Sequence, residues 1–191
     1  FSDTDAMVYQ IDQAIENGIN FYDGYFLRDI NETTFKSIFT ANIDMPMAKE
    51  KTNVLNKVGE ILVAEYKGDW LNFIKSGPKN LYQNGEGLIE RLVYQFERFR
   101  DTSIYLGQEV HFLKLAQLAF WGIHRELSRH KDFYIEDMEN MTAFADYIVP
   151  VALEKMNIVT YSDKLKNKIE QGVLIESGSI EEIEIRSATL F

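Results

Sequence analysis

Read from its start, the chain repeats apolar side chains at helical spacing through most of its length. Met7, Val8, Ile11, Ala14 and Ile15 form one stripe behind Ser2 or Asp3, either of which is a suitable cap, and Asn17-Gly18 supplies the stop. Residues 19–25 are aromatic and irregular, after which Asn31 or Thr33 opens a short helix through Phe35, Ile38 and Phe39. Pro46 suits a first helical position, and Val54, Leu55, Val58, Ile61, Leu62 and Tyr66 then mark one face of a long helix interrupted only by Gly59. Lys67-Gly68-Asp69 turns the chain into a short helix bearing Trp70, Leu71, Phe73 and Ile74, which Gly77-Pro78 closes. From Gly87 a further helix turns Leu88, Ile89, Leu92, Val93 and Phe96 inward and Glu90, Arg91, Glu97 and Arg98 outward.

Residues 102–107 read as extended or as a turn. His111 to Leu127 is a helix apolar on most sides, which predicts a central position, and its Lys114, Gln117, Trp121 and His124 share one stripe. That stripe is either a solvent face or the wall of a cleft. After the polar residues 128–132, a helix is predicted from about Asp137 to Pro150. The proline removes one N–H and disfavours helical geometry at Val149, so a break or kink is expected before residues 151–156 resume the helix. Ser162 caps residues 163–171, Gly172 ends them, and Ser179-Ile180-Glu181-Glu182 has the capping-box pattern of a last helix. No window alternates in the manner of a sheet. The predicted fold class is all-α, with residues 1–191 forming a single helical domain.

Composition narrows the functional classes. The 191 residues carry a formal net charge of −10 and no cysteine. Disulfides, thiolate metal sites and cysteine nucleophiles are excluded, and duplex nucleic acid would be repelled on average. The three histidines, His111, His124 and His130, have no carboxylate at ligand spacing on a shared helical face, so no metal site is expected, and no cofactor is implied. No apolar run approaches the roughly 18 residues of a membrane-spanning helix, and a cytoplasmic location is expected. The chain opens at Phe1 without a methionine and closes on the apolar Ala188-Thr189-Leu190-Phe191, so both ends are expected to lie within a longer domain.

Two charges stand out against their surroundings. Asp146 sits in an apolar run among Phe144, Tyr147, Ile148 and Val149, where a carboxylate needs a hydrogen-bond donor from the protein or from a ligand. A structural reading has it capping the chain after the Pro150 break or pairing with an arginine. A functional reading has it meeting a planar heterocycle with two N–H donors on one edge, beside the aromatic Phe144 and Tyr147. Lys114, in a nearly all-apolar helix, either snorkels to the surface, pairs with a carboxylate such as Asp101, or serves a site.

At this point the motifs resemble a family. Gly68-Asp69-Trp70-Leu71-Asn72, Phe99-Arg100-Asp101, Tyr105-Leu106-Gly107, Phe112-Leu113-Lys114-Leu115-Ala116-Gln117, the run 141–150, Tyr161-Ser162, and Gly178-Ser179 through Glu182-Ile183-Glu184-Ile185-Arg186 look like the motifs of the queuosine salvage family. That family comprises queuosine 5′-phosphate N-glycosidases that release the base queuine. Leu115 and Ile148 stand where the family usually has arginine. The resemblance implies a helical fold similar to helix-hairpin-helix DNA glycosylases, a small nucleotide as substrate, and Phe144 and Asp146 as base contacts with Tyr147 beside them. It leaves Lys114 as a candidate catalytic residue, and it places a base-contacting histidine before Phe1 and a transition-state aspartate beyond Phe191. Because a 7-deaza base has carbon at position 7, it cannot be activated by protonation there. Cleavage then rests on stabilising an oxocarbenium-like sugar with a carboxylate, water being the acceptor. A non-catalytic deazaguanine-binding module, a helical interaction domain and, more distantly, a DNA glycosylase are the alternatives. Oligomeric state is left open.

Overall fold

A computed structural model describes residues 3–40 and 44–190, so Ser2, one of the two predicted caps, lies outside the described residues. The chain packs as two compact units, Phe1–Pro78 and Lys79–Phe191.

In the first unit, helices α1 (Asp3–Glu16), α2 (Gly24–Asp29), α3 (Glu32–Ile38), α4 (Ala48–Tyr66) and α5 (Trp70–Lys75) follow one another. Helix α2 is not predicted by the apolar pattern, which is irregular over residues 19–25. That helix is only 6 residues long, too short for a periodic signal, and it exists because Asp23 accepts a hydrogen bond from the Tyr25 amide and α4 supplies a bed for it. The bed requires glycine. A Cβ on Gly59 would lie 2.1 Å from the Arg28 nitrogen, and one on Gly24 would lie 2.8 Å from the Leu62 Cβ. The Gly59 interruption of the apolar face is thus the crossing point of α2 and α4. Beside it, the Asn56 amide donates to the carbonyls of Leu27, Arg28 and Ile30 at 3.0, 2.9 and 2.8 Å, closing the end of α2. Asn31 is the cap of α3, accepting from the Thr34 amide, and Ile30, Phe35, Ile38, Phe39 and Ala48 fill the core of this unit.

The second unit contains α6 (Leu88–Gln95), strands β1 (Thr102–Tyr105) and β2 (Gln108–His111), α7 (Lys114–Leu127), α8 (Val149–Lys155), α9 (Asp163–Glu170) and α10 (Ile180–Ser187). The chain is therefore mostly helical, in keeping with the all-α reading, apart from one small antiparallel hairpin that the sequence pattern does not predict, pairing Thr102 with His111 and Tyr105 with Gln108. Leu106 and Gly107 both take positive φ, +50° and +81°, the geometry of a two-residue hairpin turn. Four-residue strands are too short to show alternation. The hairpin also moves the start of α7 from His111 to Lys114.

A second correction concerns residues 137–150. Instead of a helix broken at Pro150, a single turn at Met138–Asn140 gives way to extended and bent chain, and α8 begins at Val149 with Pro150 in its first turn. Proline lacks the N–H that a first-turn residue does not need, so it starts this helix and does not end one. The caps of the last two helices are as expected. Ser162 accepts from the Leu165 amide and Ser179 from the Glu182 amide, while the Glu182 carboxylate reaches back to the Gly178 amide at 2.6 Å. Among the described residues no helix is long and apolar enough to cross a membrane.

Candidate functional site

The start of α7 is built by Asp101. Its carbonyl accepts from the Phe112 and Leu113 amides at 2.9 and 3.1 Å, and its carboxylate accepts from the Lys114 amide at 3.2 Å. Leu113 is held at φ +50°, which swings the chain from β2 into the helix. Lys114 thus meets Asp101 through its backbone, not through the side-chain pair that the sequence suggested.

The polar stripe of α7 faces residues 142–146. Gln117 is buried and exchanges hydrogen bonds with Thr142, accepting from its amide at 2.8 Å and donating to its hydroxyl at 2.9 Å. Trp121 meets Phe144 edge to face, with ring centroids 6.2 Å apart. The Lys114 Nζ lies 3.6 Å from the Asp146 Oδ2, with 26 % and 21 % of the two side chains exposed. His124, the fourth member, accepts at Nδ1 from the Ile135 amide at 3.3 Å and so holds the next loop. The stripe is a wall, as one of the two sequence readings allowed.

Asp146 meets the structural reading: it accepts from the backbone ahead of α8, and its charged neighbour is Lys114 and not an arginine. Its Oδ1 accepts from the amides of Ile148 and Val149 at 2.8 and 3.1 Å, which satisfies the first backbone donors at the entry to α8. Its Oδ2 turns the other way, toward Lys114. Burial pushes the carboxyl up, but the Val149 and Ile148 amides together with the Lys114 charge outweigh it and hold the group below its ordinary 3.8. Asp146 is therefore an anion at neutral pH, its side chain 21 % exposed and its Oδ2 facing Lys114.

Arg186 ties these pieces together. Its guanidinium donates to the Asp101 carboxylate at 2.6 Å and to the Ala145 carbonyl at 3.0 Å, and it stacks 3.9 Å over the Phe112 ring. The residue before Asp146 is fixed by the same arginine that fixes the residue carrying the start of α7. Sequence reading quoted Arg186 only as part of a motif. The available signal was that it shares a helical stripe with Ile183 and Leu190, a charge on an otherwise apolar face.

Of the remaining named residues, Tyr147 projects into solvent at 80 % exposure and Ile148 at 58 %. Leu115 is half-buried on the flank of α7. A cleft of about 660 Å³ lined by Tyr82, Tyr94, Arg100, His111 and others shares Gln117 and Thr142 with the wall.

Comparison with known proteins agrees with the motifs. A queuosine 5′-phosphate N-glycosylase/hydrolase of Sphaerobacter thermophilus is 27 % identical over 186 residues, covering 97 % of this chain and 56 % of the relative. The Mus musculus protein of the same name is 28 % identical, covering 97 % and 54 %. That of Dictyostelium discoideum is 33 % identical over 150 residues, covering 77 % and 44 %. The chain spans about half the length of the curated relatives it matches. The profile described as queuosine salvage protein matches residues 2–191, and the chain belongs to that family.

Proposed function

We propose that this chain is the base-recognition core of an N-glycosidase that hydrolyses queuosine 5′-phosphate and releases the 7-deazaguanine base queuine. The observation that carries the reading is the divided use of Asp146: Oδ1 accepts from two backbone amides, while Oδ2 faces Lys114 at 3.6 Å. The guanine-like edge of queuine offers a ring N–H and an exocyclic amine, and both donors converge on Oδ2. Phe144, braced by Trp121, stacks on the ring, and Tyr147 closes over it from the solvent side. The Lys114 charge lies beside Oδ2 and adds to the two backbone amides in holding the Asp146 carboxyl below its ordinary value. Hydrogen bonds to a charged acceptor contribute about 1.5–3 kcal/mol each, so a base lacking the two donors is rejected strongly.

The fold support is of the coarser kind. The helical arrangement is of a type we assign to the helix-hairpin-helix glycosylase class by motif resemblance, and the family match through both units supports reading 1–191 as one salvage domain. The transition-state carboxylate of the reaction is assigned to family sequence beyond Phe191. The acidic charge of the chain favours a free nucleotide over duplex nucleic acid as the ligand.

The test is a thermal shift of the chain with queuine and with guanine, followed by chromatographic detection of queuine released from queuosine 5′-phosphate. A queuine-dependent rise in Tm supports the reading, and release of base by this chain alone would move the transition-state carboxylate inside residues 1–191. A folded protein that binds no queuine sinks the proposal.

A further inference from the structure

The second unit is unevenly packed. In α6, four of 8 residues are buried, whereas over residues 147–180 only Pro150 and Leu165 are. The same stretch leaves nine large apolar side chains exposed, from Tyr147, Ile148 and Val151 through Met156 and Ile158 to Leu174 at 85 % and Ile180. Isolated exposed apolar residues are ordinary, but nine within these 34 consecutive residues are more apolar surface than the segment's own packing covers. Its charge agrees: four lysines balance four carboxylates across 147–180, so the strip is neutral on a chain whose net is −10.

We infer that residues 147–180 are a docking platform for the polypeptide that the full-length relatives carry outside the span aligned with this chain. Those relatives devote 44–46 % of their length to sequence this chain does not align with, which is ample to supply an amphipathic segment with an apolar stripe. A second copy of this chain is the poorer occupant, since pairing would bring two acidic molecules together. The platform begins at Tyr147 and Ile148, directly after Asp146, so covering it also encloses the Lys114–Asp146 pair, of which about a quarter is exposed. That consequence rests on the base-recognition reading; the surface assignment does not.

Hydrogen exchange tests the assignment without any ligand, so its outcome is separate from that of the nucleotide assays. Amides of 147–180 are compared in this chain and in the full-length Sphaerobacter thermophilus protein, with light scattering on both samples. Peptides aligned with this stretch are expected to exchange at least tenfold more slowly in the relative, while this chain is monomeric and unprotected there. Equal, fast exchange in both proteins overturns the platform. Slow exchange in this chain overturns it also: a dimer assigns the face to a second copy, and a monomer assigns it to the chain's own residues.

Discussion

Asp137 and Asp146 lie nine residues apart in one connecting stretch and are used in opposite ways. Asp137 is buried, and its two oxygens accept from the Leu81 amide at 2.5 Å, the Tyr82 amide at 3.2 Å and the Asn140 side chain at 3.2 Å. Every direction that matters is taken by the protein, and the residue staples the 79–82 segment to the turn at Met138–Asn140. Asp146 commits only Oδ1 to the backbone and keeps Oδ2 at 3.6 Å from a lysine, in a side chain 21 % exposed. A carboxylate saturated by amides tells of folding. One that is only half saturated by amides is what the proposed base recognition draws on.

The largest effect expected from this contrast is on base recognition. Asp146→Asn retains an oxygen for the amides at the entry to α8 but loses the charge and presents donors where the base also has donors. Two charge-assisted hydrogen bonds of about 1.5–3 kcal/mol each are lost, so queuine affinity is expected to fall by two to four orders of magnitude by calorimetry. Tm should fall by no more than a few degrees, because a hydrogen bond of that kind contributes about 1 kcal/mol. A variant with unchanged affinity would make Asp146 a second staple and erase the contrast.

Asp137→Ala should do the reverse. It strands the buried amides of Leu81 and Tyr82, each costing about 1–3 kcal/mol, so a loss of about 2–5 kcal/mol in denaturant unfolding is expected. Queuine affinity of the folded fraction should stay within a factor of two or three. If affinity fell in step with stability, the two aspartates would belong to one cooperative element.

These two residues also show what was legible beforehand. Asp146 was visible because a charge inside an apolar run is anomalous in any fold, and both of its possible roles could be named. Asp137 was not visible, because its partners Leu81 and Tyr82 lie 56 and 55 positions away and nothing local announces the pairing. The same limit explains Arg186, whose contacts to Asp101 and Ala145 span 85 and 41 positions. Long periodic helices such as α4 were readable from spacing. The short α2 and the four-residue strands exist through tertiary support and turn geometry, which periodicity does not record.

Phe144→Ala is expected to have an intermediate effect. It removes a ring that would stack on the base and leaves Trp121 without its edge-to-face partner. Stacking on an aromatic side chain contributes about 1–3 kcal/mol, so a loss of roughly tenfold to a hundredfold in queuine affinity should accompany a small drop in Tm. A purely structural Phe144 would show the drop in Tm without the loss of affinity.

The smallest effect concerns how Asp146 is kept ionised. Its carboxyl lies below 3.8 despite burial, through the Val149 and Ile148 amides first and Lys114 after them. A depressed folded value means that Asp146 contributes stability fully above its unfolded pKa, and that this contribution is lost as pH falls from 3.8 through the folded value. Lys114→Met removes only the lysine's share. The Asp146 titration followed by carboxyl NMR should therefore move up toward 3.8, and the acid dependence of stability should become shallower in that window. At pH 7 Asp146 remains charged with or without Lys114, so queuine affinity is expected to change less than tenfold. An unmoved titration would mean that the two amides set the charge state alone, and that the half of Asp146 facing Lys114 is open to a ligand without help from the lysine.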